Sequence, residues 1–154
     1  MLILIVAVQW LHVLGGIVWF GSTVTNHVVV VPSMKARQPE SQQAWLRAYS
    51  SRYGRMIAAV AGATIVLGII RGLVGGVWTG LETAYGLTWI ASLLLGLGLA
   101  FVGARLTGPA AERLTSDEQA QYAANLTRLG RLGRIELGLF LVLFSLMIAM
   151  RFGY

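Results

Sequence analysis

Two histidines and a file of polar side chains are the residues that could do chemistry in this otherwise apolar sequence. Most of them lie in the first hydrophobic segment, at Gln9, His12, Trp19, Thr23, Asn26 and His27. At 100° per residue these six fall within about 60° of the His12 direction on a helix. Gly15 and Gly16 lie one turn on and leave a shallow groove beside His12. Polar groups on one face of a membrane helix turn toward protein, because lipid offers them no hydrogen bonds. His12 stands about nine residues inside the hydrophobic run, where an imidazole is costly unless something holds it. Two readings follow: a neutral ring bonded to a neighbouring helix, or a ligand to haem or a metal ion. His27 reads either as an interfacial polar residue or as a second metal ligand. Fifteen residues separate the two rings, about 22 Å along a helix, so they cannot hold one iron within one chain.

The other segments offer partners for that face. Thr64, Gly68 and Arg71 share a side of the second, where Gly68 and Gly72 form a small-xxx-small packing pair. The Arg71 guanidinium suits bidentate bonding to haem propionates, and equally suits snorkelling to lipid head groups. Thr88, Ser92, Gly96 and Gly103 make a small-residue stripe for helix packing in the third. Met147 and Met150 in the fourth read as packing residues or as a weak axial ligand. The candidate haem contacts are therefore His12, Gly16, Trp19, Arg71 and Met147, and the candidate metal ligands are His12 and His27. Glu136 is expected to pair with an arginine such as Arg134 or Arg55.

These residues need elements to hold them, and composition restricts what those are. Of 154 residues 56% are apolar and only 12% charged, more apolar surface than a soluble core this size can hide. The bilayer must then be the solvent for the outer faces. Four spans emerge, at about 2–31, 56–78, 87–104 and 135–152, and predict one all-α domain over 1–154, an integral membrane four-helix bundle. The first span lacks the basic start and cleavage site of a secretion signal. Pro32 is expected to close the first helix, and Pro39 and Pro109 to begin loops. Ser41–Tyr53 and Ser116–Leu129 read as separate amphipathic surface helices, the second capped by Ser116. A weak repeat relates the two helix pairs, with Tyr53-Gly54-Arg55 and Leu132-Gly133-Arg134 opening the second and fourth spans.

Charge sets orientation and excludes partners. The loops after spans one and three carry Lys35, Arg37, Arg47, Arg52 and Arg55, then Arg105, Arg113, Arg128, Arg131 and Arg134. The positive-inside rule places these loops in the cytoplasm and both termini outside, in a bacterial-type inner membrane. The net charge of +6 comes from these loops and argues for membrane topology, not for a nucleic-acid partner. Cysteine is absent, which removes disulfides, thiolate metal sites and thiol catalysis.

The stretch Trp10-Leu11-His12-Val13-Leu14-Gly15-Gly16-Ile17-Val18-Trp19-Phe20-Gly21 resembles the first helix of the copper-resistance protein D superfamily. That superfamily includes the haem-binding bacterial membrane protoporphyrinogen oxidase. The likeness extends to the four-helix layout, to the run ending at Pro32 and to the Tyr-Gly-Arg entry of span two. It implies a haem b site with His12 as ligand. The oxidase branch carries a third-helix lysine where this chain has Ala91 and Ser92, and its one lysine is Lys35. The resulting expectation is a membrane b-type haem protein, a homodimer, working in electron transfer, gas binding or redox chemistry on a quinol or porphyrin-like substrate. As an enzyme it would be a haem oxidoreductase, including the protoporphyrinogen oxidase-like case. The alternative is copper transport, with His12, His27 and Met147 as waypoints.

Overall fold

In a computed structural model, which describes residues 2–34, 43–115 and 119–154, the protein is four long helices with no strand among those residues. They are α1 (Leu2–Met34), α2 (Gln43–Val74), α3 (Ala84–Glu112) and α4 (Gln119–Arg151). At 1.5 Å per residue each runs roughly 45–50 Å, so each crosses about 30 Å of hydrocarbon and projects beyond it. All four contain a stretch long and apolar enough to span a bilayer. Those stretches stay largely uncovered by protein, with Ile3, Leu94, Leu141 and Ile148 among many exposed apolar side chains. Outward-facing leucine and isoleucine at this density is the surface that lipid solvates. The chain is a multi-pass membrane protein in a lipid bilayer.

Two cores hold the bundle. In the apolar part, Trp19, Ala61, Leu99, Phe140 and Leu143 are buried together, with Phe20 and Met147 packed against them. Trp19 meets Phe140 edge-on at 5.1 Å between ring centroids, and Phe20 meets Phe144 at 4.9 Å in the same manner. Such edge contacts add about 0.5–1.5 kcal/mol beyond the area buried. A second core of Val31, Met34, Leu46, Ala110, Leu114, Leu126 and Leu129 lies at the arginine-rich end.

That second core corrects the expected boundaries. Among the described residues no separate surface helix is found there: 43–53 and 119–129 are the first turns of α2 and α4, continuous with the spans. Their amphipathic pattern is real, but its apolar side faces the helical extensions and not the head groups. The proposed cap at Ser116, like Ser41 and Pro39, lies outside the described residues. At the other end α2 stops at Val74, short of Trp78. Gly76 takes a left-handed φ of 79° there, and Val77–Gly80 forms one tight turn before Thr83 caps α3 through the Gly86 N–H.

The prolines do not end helices either. α1 passes Pro32 and reaches Met34, and α3 passes Pro109 and reaches Glu112. A proline inside a helix lacks an N–H and its ring strikes the carbonyl four residues back. Here the turn before each proline is widened, over Thr25–Val30 in α1 and Gly103–Thr107 in α3. The Val31 N–H bonds the Asn26 carbonyl and the Gly108 N–H the Gly103 carbonyl, five residues back. The wider π turn shifts the carbonyl row off the proline ring, so the helix continues.

Close helix approach depends on glycine at the α1–α2 seam. A Cβ on Gly15 would collide with the Thr64 hydroxyl, whereas one on Gly16 would meet nothing within 4 Å. Gly15→Ala should therefore destabilise the detergent-solubilised protein by about 1–3 kcal/mol through overpacking. Gly16→Ala should be neutral or gain about 0.5–1 kcal/mol from helix propensity. Unfolding midpoints in dodecyl sulfate would show the difference, and equal midpoints would refute the seam.

Candidate functional site

Polar side chains are gathered at two levels of the bundle. The first is the α1–α2 seam around His12. Its Nδ1 lies 2.9 Å from the Thr64 carbonyl oxygen. A carbonyl only accepts, so Nδ1 carries the hydrogen, and in the neutral ring the lone pair is then on Nε2. Histidines that bind metal through Nε2 are held in this way. Gly68 makes the approach possible, since a Cβ there would press on the imidazole at 2.9 Å from Cε1. The Thr64 hydroxyl is turned back on its own helix, donating to the Val60 carbonyl at 2.7 Å.

One turn nearer the chain ends, Arg71 Nε donates to Gln9 Oε1 at 3.1 Å. Arg71 therefore sits on the same seam as His12. Beside the seam an open apolar groove of about 310 Å³ runs between Leu11, Leu14, Val18, Val60, Thr64 and Leu67. The remaining candidates lie elsewhere. Trp19 and Met147 share the aromatic core, and Gly16 fronts open space.

The second level, at the arginine-rich end, is built around Glu136 on α4, a residue only 6% exposed. His27 Nε2 is 3.0 Å from Glu136 Oε2, and the Thr107 hydroxyl donates to Oε1 at 2.5 Å. The His27 and Glu136 side chains are 4% and 8% exposed. Both partners come from the widened turns, His27 from that of α1 and Thr107 from that of α3. Residues in a wider turn are separated by a smaller angle, which lets Asn26 and His27 both face protein. Asn26 is buried, and its Oδ1 accepts from the Tyr49 hydroxyl at 3.4 Å on α2. His27 reaches α4, where Gly133 leaves the space its ring fills; any Cβ there would collide with the imidazole. His27 Nδ1 is buried with no hydrogen-bond partner.

Among the described residues the partner of Glu136 is His27, where the sequence suggested Arg134 or Arg55. Arg134 points outward, and Arg55 Nε donates to Ser51 O of its own helix at 3.2 Å. A guanidinium is better hydrated at the surface than buried, whereas imidazole can be buried neutral while still donating to a carboxylate. Tyr53 on α2 completes the surroundings, close to Thr23 and within electrostatic reach of Glu136. It ends a stacked ladder of Trp45, Tyr49 and Tyr53, with centroids 5.0 and 5.3 Å apart. Among the described residues no three His, Asp or Glu side chains converge on one point.

Comparison with protein-family models, curated proteins and solved structures gives no match for this chain. The geometry of Glu136 itself makes a prediction. Glu136→Ala leaves the Thr107 hydroxyl and the His27 Nε2 without partners and should cost about 3–5 kcal/mol. Glu136→Gln, whose amide still accepts from Thr107, should cost clearly less. Equal loss in the two variants, measured by detergent unfolding, would show that the retained volume and the bond from Thr107 contribute nothing, against this reading.

Proposed function

We propose that this chain is a membrane b-type haem protein in which His12 would hold the iron. The observation that carries the reading is the Nδ1–H bond of His12 to the Thr64 carbonyl, which leaves Nε2 basic and fixed inside the bundle. Gly68 supports it by giving the ring a place without a side chain opposite it. Arg71, held by Gln9 on the same seam, is the cation for the propionates. His27 takes no part, because its Nε2 is committed to Glu136.

Haem, if held there, would supply one-electron chemistry at a potential set by the ligand and by burial. The chain's own residues would bind and orient it: His12 would offer the lone pair, Thr64 holds the ring's orientation, and the groove beside them is apolar. The lateral opening of that groove suits a lipophilic redox partner, a quinol or porphyrin-like molecule reaching the site from the lipid. The working form in this reading is a homodimer that leaves the groove open to lipid. The positive-inside rule puts the arginine-rich end in the cytoplasm of a bacterial-type inner membrane and both termini outside.

Detergent-purified protein should be coloured and show a Soret band, and His12→Ala should abolish or displace it. Colourless protein binding Cu(I) would favour copper transport instead. A band unchanged in His12→Ala would overturn the ligand assignment. Orientation has its own test, made clean by the absence of cysteine. A single cysteine in place of Glu82 should react with an impermeant maleimide on intact cells, and one in place of Arg131 should not. The reverse pattern would invert the topology.

A further inference from the structure

We propose that Glu136, His27 and Thr107 form a proton-exchange site inside the bundle at its arginine-rich end, independent of any cofactor at His12. The proposal starts from cost. An ionisable carboxylate enclosed by membrane helices is expensive, and groups kept in that position typically handle protons or ions. Glu136 and His27 are both almost fully enclosed and only 3.0 Å apart.

The contents of the site select the ligand. Each carboxylate oxygen already accepts one hydrogen bond, from Thr107 on one side and His27 on the other. That arrangement leaves no cage for a metal ion, and no third acidic or imidazole group joins it among the described residues. A proton needs no cavity. It needs a basic atom, and the buried, unpartnered His27 Nδ1 is one, with Gly133 clearing the space against the ring.

The groups facing the pair come from every helix. α1 supplies His27 itself, and α2 supplies Tyr53, within electrostatic reach of Glu136. α3 supplies Thr107, and α4 carries Glu136 with Arg134 turned outward two residues away. Without the extra proton, Glu136 is anionic and neutral His27 donates Nε2–H to it. Uptake from hydronium forms one new bond, N–H at Nδ1 or O–H at Oε2, and leaves water. The site's charge goes from −1 to zero and no electrons move. If the proton rests on Oε2, that carboxyl donates to Nε2 and the ring hydrogen moves to Nδ1. Either outcome changes the protonation pattern of His27.

The two widened turns are the second, independent sign. Both lie at the level of Glu136, and each contributes one of its two hydrogen-bond donors. Turns of this kind recur at functional positions, where an α-helix would place the side chain on the wrong face.

The chain has only two histidines, so ¹⁵N-histidine magnetic resonance of the full-length protein in detergent reads both rings separately. Over the range in which histidine titrates, His27 should change reversibly to imidazolium or to its other tautomer. Glu136→Gln should abolish that transition or lower the proton affinity about tenfold or more, a displacement of at least one pH unit. A His27 ring that holds one state throughout the wild-type titration overturns the proposal, whatever the variants do. So does a transition whose midpoint is unmoved in Glu136→Gln. Thr107→Val, which removes one donor and keeps the shape, should raise the midpoint; if it leaves the midpoint unmoved, Thr107 is not part of the site.

Discussion

A polar atom inside a bundle surrounded by hydrocarbon must find its partner within the protein, and that single constraint arranges everything else here. Hydroxyls meet it locally. Thr23, Thr64, Thr88 and Ser145 each donate to the carbonyl four residues back on their own helix. Larger groups cannot, and so they tie helices together. His12 and Gln9 join α1 to α2, Asn26 joins the same pair through Tyr49, and Glu136 gathers α1 and α3 onto α4. Glu136 is the most demanding of these, because a carboxylate loses the most hydration on burial. Its two donors come from two different helices, which makes it the point where the two helix pairs meet.

The molecule also divides along its long axis by the kind of force that holds it. Around Trp19 and Phe140, neighbours and lipid are equally apolar, so cohesion comes from shape, edge-on rings and glycine-mediated approach. Around Leu114 and Leu129 the helices extend beyond the apolar spans, and there the hydrophobic effect operates as in a soluble bundle. The Glu136 level lies between these regimes, close to water yet closed off from it.

Much of this was legible in the residues. Four spans, the all-α architecture and the polar face of α1 follow from hydropathy and a 100° step, and the face does point into protein at Trp19, Thr23 and Asn26. The placement of Arg71 near the level of His12 was legible too, although its partner Gln9 emerged only from packing. The helix ends were harder to read. Proline signals a stop in sequence, but whether the chain stops depends on whether the preceding turn can widen, which is a tertiary matter. The partner of Glu136 was missed for the same reason. A uniform 100° step places His27 at the edge of the stripe, and nothing local shows that the step shortens there. Gly133, three residues before Glu136, was the available hint, since a glycine facing a buried acid marks room for a ring.

The widened turns carry a consequence for how the fold tolerates changes in length. In a regular membrane helix, deleting one residue swings everything beyond it by about 100° and turns buried faces to lipid. A π turn already holds one residue more than the regular helix needs, so it acts as a vernier between two angular settings. Above it, Trp19 and Thr23 are set by the aromatic core; below it, Val31 and Met34 are set by the leucine core. Single-residue gain or loss can be absorbed between Thr25 and Val30, or between Gly103 and Thr107, with both cores kept in phase. In the straight reaches of α2 and α4 the same change has no such outlet.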